Sequence, residues 1–150
     1  MSLLDPGIED PKAKRRRYVV SAIALALLLA AGVGYLLRYS REKRTVESFM
    51  NAVLAGDMQQ GYQIWKPHAN FTRKDFEAFW GPKGYYSPIK SYKIEKAVMP
   101  PDGSSGVIVI VEISGEASFP SSDDVIKTAQ LREARIWVER SDQSLSFPPP

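Results

Sequence analysis

The sequence predicts an α+β protein carried behind one N-terminal transmembrane helix. Three observations carry that expectation. Tyr18 to Leu37, YVVSAIALALLLAAGVGYLL, contains no Asp, Glu, Lys, Arg or His. Beyond it, apolar residues recur at helical spacing as far as Trp80. From Ser91 onward the period falls to two, as in strands. Helices followed by a run of strands make an α+β domain, with the helices on one face of an antiparallel sheet.

The apolar run comes first. About twenty residues at ~1.5 Å per residue span ~30 Å, the thickness of a bilayer's hydrocarbon core. A helix buried in a soluble core keeps a polar stripe, and this one has none. Lys12, Lys14, Arg15, Arg16 and Arg17 precede the run; Arg38, Arg41, Lys43 and Arg44 follow it. The tighter cluster lies before the span, so the tail is expected in the cytoplasm and the remainder outside, across a bacterial inner membrane. The run Arg15-Arg16-Arg17-Tyr18-Val19 loosely matches a twin-arginine export signal, but a topology-setting cluster meeting anionic headgroups explains it with less. Cleavage is not expected, because Ala22, Ala24 and Ala26 lie inside the apolar run. Ala22, Ala26, Ala30 and Gly34 form a row of small residues on which a second helix would pack closely.

The expected organisation is therefore a basic tail over 1–17, disordered at its start, and a span over 18–37. A helical juxtamembrane linker covers 38–44, one domain 45–147 and a short tail 148–150. About a hundred residues beyond the span suffice for one core and no more. Cysteine is absent, which excludes disulfides, thiol nucleophiles and cysteine-ligated metals. Twenty Lys and Arg against 17 Asp and Glu leave a net charge of +3, and the juxtamembrane cluster supplies much of it. The domain itself has no basic surplus that would suit nucleic acid.

Within the domain, Val46, Phe49, Met50, Val53 and Leu54 make an amphipathic helical face. Gly56 stops that helix. Asp57 caps the next, MQQGYQIW, with Gln60 placed for a capping box. Tyr62 and Trp65 face the core. Thr72 caps RKDFEAFW, with Asp75 three residues on, and Phe76, Phe79 and Trp80 form its apolar face. Strands are expected from Ser91 to Met99, over GVIVIVEISGEASF, over VIKTAQLREARIWVER as one strand or two joined by a break, and over SLSF; the prolines after Phe147 end the last. Val107, Val109, Val111 and Ile113 share one face, as do Ala134, Ile136 and Val138. Upstream, Val125, Ala129 and Leu131 have the opposite phase, which predicts a β-bulge near Arg132-Glu133. The outer face then carries Glu112, Glu116, Arg135 and Glu139 around Trp137, a candidate partner contact.

The stretches VESFMNAVLAGDMQQGYQIW and FTRKDFEAFW, followed by the strand meander, resemble the NTF2-like superfamily from about Thr45 to Phe147. The resemblance implies three helices on a curved sheet, with a cavity between helices and concave face. Tyr62, Trp65, Phe76, Phe79, Trp80, Val109, Val111 and Ile136 would line it. The superfamily includes isomerases, dehydratases, partner-binding modules and membrane-anchored domains, so fold alone does not select a function.

The residues offer little chemistry. His68 is the sole histidine and sits after Pro67, so no multi-histidine metal site exists in this sequence. Asp57 and Asp75 stand where caps belong. Tyr62, Tyr85, Tyr86 and Tyr92 are better read as packing residues than as ligand-orienting ones. No phosphate loop, nucleophile motif or paired carboxylates are present, and no metal or cofactor is expected. The leading expectation is an anchored, non-catalytic module binding a protein partner, a second copy or a small apolar ligand. An isomerase- or dehydratase-type enzyme and an accessory or assembly subunit of a membrane complex are the alternatives. Lys96 or Asp57 turned inward would favour the enzyme.

Overall fold

The computed structural model describes residues 10–66 and 70–148. The chain forms two compact units, one ending at Arg38 and one beginning at Tyr39. The first unit is α1, Pro11–Leu37. Asp10 caps it, its carboxylate accepting from the Lys12 amide at 3.0 Å, and Pro11 opens it. Proline suits that position because its missing N–H would have no helical partner there. The helix thus begins just ahead of the basic cluster and includes it, whereas the expected span starts at Tyr18. It is long and apolar enough to cross a membrane, and every side chain of the first unit's apolar run is exposed.

Helix α2, Ser40–Leu54, opens the second unit. Tyr39 precedes it in the left-handed region at φ 64°, which breaks the helix at Arg38-Tyr39. Most of segment 38–44 is helical, as expected, and it forms the first turn of a helix packed in the second unit. Glu42 shows why: it is buried, and Arg140 approaches its carboxylate at 3.7 Å. Val46, Phe49, Met50, Ala52 and Val53 bury the other face.

Helices α3, Met58–Trp65, and α4, Arg73–Trp80, follow with the expected caps. Thr72 and Asp75 form a reciprocal capping box at the start of α4. At α3 only half of the expected box exists. Asp57 accepts from the Gln60 amide at 3.0 Å, but its own N–H is held by the Ala52 carbonyl at 2.9 Å, leaving nothing for the Gln60 side chain to satisfy. Gly61 sits where a Cβ would come 3.2 Å from the Phe76 ring, so glycine lets α3 approach α4 closely.

The sheet is antiparallel and in sequence order: β1 Ser91–Val98, β2 Gly106–Ser114, β3 Arg132–Glu139 and β4 Leu145–Ser146. Val107, Val109, Val111, Ile113, Ala134, Ile136 and Val138 are all fully buried, as the alternation predicts. Two expectations about the strands need correction. The phase change before β3 is no bulge. Val125–Thr128 is a one-turn helix, α5, capped by Asp124, so its apolar residues never belonged to a strand. The register shift lies in β1, between Ile94 and Lys96. Ile94 pairs with Val111 and Lys96 with Ile110, so the extra residue, Glu95, absorbs the shift. It carries Lys96 to the outer face. Strand β2 also ends at Ser114, well before Phe119.

Candidate functional site

The space between helices and sheet is filled with rings. Phe49 is the hub. Its centroid lies 5.0 Å from Trp65 and 5.0 Å from Trp80, and 6.1 Å from Phe76. Trp65 meets Phe147 at 5.1 Å, and Trp80 stacks on Tyr86 at 4.6 Å. Of the residues expected to line a cavity, Trp65, Phe76, Trp80, Val109, Val111 and Ile136 are at most 1% exposed. These six are core and open to no solvent. Tyr62 and Phe79 are half-buried at its edge, each against further rings. The Trp80 Nε1 donor is buried with no acceptor among the described residues. Such an orphan costs about 1–3 kcal/mol, so ring packing is holding the indole in place against that penalty.

Among the described residues no carboxylate or lysine lies in this interior; Tyr92 and Arg132 stand at its edge, in register with Ile113. Asp57 and Asp75 cap helices. Lys96 is exposed on the outer side of the sheet. His68 lies outside the described residues. Tyr92 donates to Asn51 Oδ1 at 2.7 Å, tying β1 to α2, and partial burial raises its pKa. Burial also raises the pKa of Tyr86, whereas Tyr85 is exposed. Arg132 donates to the carbonyls of Tyr86 and Pro88, which fastens the loop before β1 to the start of β3.

The outer face of the sheet is different. Register places Val98, Ile108, Trp137 and Ser146 in one row across all four strands. Val98 is 36% exposed, and Met99 beside it 37%. Ile108 and Trp137 are half-buried. The Trp137 indole lies over Gly106, where an added Cβ would come 2.1 Å from Cε2. Glycine at 106 thus makes the seat for the indole. In the next row Ile110, flanked in register by Lys96 and Arg135, is only 8% exposed, because long side chains shade an apolar neighbour at the pitch of a sheet.

Charges border this row on one side. Lys93, Glu112 and Glu133 stand opposite one another in register. Lys93 pairs with Glu95 at 2.6 Å, and Arg135 with Glu133 at 2.8 Å. Desolvation, then the hydrogen bond from Glu95, raises the Glu112 pKa; the bond from Lys93 chiefly lowers that of Glu95. These side chains are largely exposed, so their pairs add little stability. The sequence singled out Trp137 but missed the row around it. The signal was present in the alternate positions Ile108 and Ile110, but their partner Val98 depends on the β1 shift.

Among the described residues no cluster of His, Cys, Asp or Glu could hold a metal ion. The topology residues Lys12, Lys14, Arg15, Arg16 and Arg17 stand on the first turns of α1, and Arg41, Lys43 and Arg44 on those of α2. Arg38 lies between the two helices. Ala22, Ala26, Ala30 and Gly34 are exposed on α1, with open space beside Gly34. Comparison with protein-family models, with curated proteins and with solved structures finds no match to this chain.

Proposed function

We propose that this protein is a single-pass, membrane-anchored, non-catalytic module of NTF2-like architecture that binds a protein partner at the cell envelope. Helix α1 is the anchor, with the second unit outside the cytoplasm. The observation that carries the binding reading is the contrast between the two faces of the sheet. The inner face is closed by rings, and the ionisable groups in its Ile113 row, Tyr92 and Arg132, are tied to Asn51 and to the Tyr86 and Pro88 carbonyls, so no carboxylate or imidazole is aimed into it for proton transfer. The same closure favours a protein partner over a small apolar ligand held inside. The outer face offers an aromatic side chain on a rigid strand, flanked by apolar and charged residues, which is the composition of an interface hot spot.

Site-specific photocrosslinking tests this. A photoreactive residue at Ile108, in the full chain in its own membranes, should yield one adduct of discrete mass. The same probe at Arg73, on exposed α4, should not. Trp137→Ala should remove the adduct while circular dichroism stays unchanged. Equal labelling from both positions, or an adduct indifferent to Trp137, would sink the proposal.

A further inference from the structure

We infer that the end of the second unit nearest the anchor docks on anionic phospholipid headgroups, through Arg41, Arg44 and Arg140. The inference rests on the anchoring proposed above. Arg41, Lys43 and Arg44 occupy the first turns of α2. A helix N-terminus carries partial positive charge, so cations there are misplaced for helix stability. The one acid in that turn, Glu42, is buried and faces Arg140 from the β3–β4 turn. The turn thereby brings a third arginine to the same end, where Arg41 and Arg140 line one open depression together with Glu42, Ser105, Glu139 and Ser141. Glu42 is buried and Glu139, which accepts from Ser105 Oγ at 2.8 Å, is half-buried, whereas Arg41, Arg44 and Arg140 are exposed. Among the described residues, Arg41 and Arg44 have no carboxylate at ion-pair distance, whereas the arginines Arg73 and Arg135 on the rest of the domain do.

Distance favours headgroups as the occupant. Arg41 follows Leu37 by four peptide steps, so its Cα lies within ~15 Å of the end of α1 whatever angle the two units make. An arginine side chain and one Debye length of ~8–10 Å bridge the remainder. Each cation near an anionic surface strengthens contact by about fivefold, and the tether holds the domain at the surface, where even weak contact is populated. These cations also oppose the topology that the cluster before the span sets, a cost that a headgroup contact offsets.

The test uses the full chain in nanodiscs of phosphatidylcholine alone, or of equal parts phosphatidylcholine and phosphatidylglycerol, carrying a headgroup-linked quencher. A fluorophore on Ser141→Cys reports the docked end and one on Ser122→Cys the control. Quenching at 141 should require phosphatidylglycerol, exceed that at 122 and vanish in high salt. Arg41→Ser with Arg44→Ser, which leaves the Glu42–Arg140 pair intact, should reduce the docked equilibrium about 25-fold. Quenching that ignores lipid charge, or persists in the double variant, overturns the inference while the anchor stands. A chain that fails to co-migrate with either disc overturns the anchor and this inference together.

Discussion

Helices α1 and α2 follow one another with only Arg38 and Tyr39 between them, yet only α2 has a buried side. Helix α2 buries Val46, Phe49, Met50, Ala52 and Val53 and turns Arg44, Glu47, Ser48 and Asn51 to water. It is a helix with two sides. Helix α1 has no sides over its apolar run: Leu25, Leu27, Leu28 and Leu29 point in different directions and all stand exposed. For α2, apolar residues find cover in the same chain. Within its own unit α1 has no buried side chain, and in the anchoring proposed above the bilayer covers its apolar run. The lesson concerns where stability comes from. The second unit's stability is internal, in ring packing. The first unit has no such packing of its own.

If the two units are energetically separate, core damage should unfold one and leave the other in place. Trp65→Ala has the largest expected effect. Trp65 is 1% exposed and contacts the rings of Phe49, Phe71, Phe76, Trp80 and Phe147. Its loss should cost about 3–5 kcal/mol, a large part of a small domain's stability. Denaturant unfolding of the second unit would register it, while sodium carbonate extraction should still leave the chain in the membrane fraction. Release of the variant from membranes would break the comparison.

The converse substitution is Leu28→Arg, a charge near the middle of α1's apolar run. Insertion should become less favourable by about 2.5–3.5 kcal/mol. Carbonate extraction should release the variant, and the second unit should unfold at the same denaturant concentration as before. Unaltered retention would mean that α1 is covered by protein and not by lipid.

Smaller changes sharpen the account of the second unit. Thr72→Ala removes the hydroxyl half of the α4 capping box and should cost about 1 kcal/mol in the same unfolding assay. The box also makes a pH signature. Asp75 accepts from Thr72 Oγ1 at 2.7 Å and from the Thr72 amide at 2.8 Å, and these two bonds, the hydroxyl's first, hold its carboxyl below the usual range. The folded pKa is thus below the unfolded one. The unfolded chain binds more protons in that window, so the contribution is complete above the ordinary aspartate value and fades as pH falls through the folded value. Comparing wild type with Asp75→Asn from about pH 6 to about pH 3 should show a small difference that closes on acidification. A difference that widens toward low pH would contradict the assignment.

Much of this was legible in residue order. The α4 cap, the helix ends at Leu54, Trp65 and Trp80 and the inner faces of β2 and β3 all follow from patterns repeating within one element. What escaped has a common cause. Val125 and Ile126 carry strand-like residues but lie on α5, where the Asp124 cap and the Thr128 hydroxyl bonds to the Ser121 and Asp124 carbonyls favour a helical turn. Glu95 reads as an ordinary strand position in SYKIEKAV, yet the pairing of β1 with β2 passes it by.

The sequence by itself determined the three amphipathic helices of the second unit, the order of its strands and which side of β2 and β3 is buried, because a period of 3.6 or 2 is written along the chain. Only the tertiary structure decided that the aromatic residues close the interior, that Val98 joins Ile108 and Trp137 in one row, and that Arg140 comes to lie beside Glu42. Each of those depends on strand register or on which turn meets which helix. Side chains distant in sequence settle such matters by the space they leave one another, and no local pattern records it.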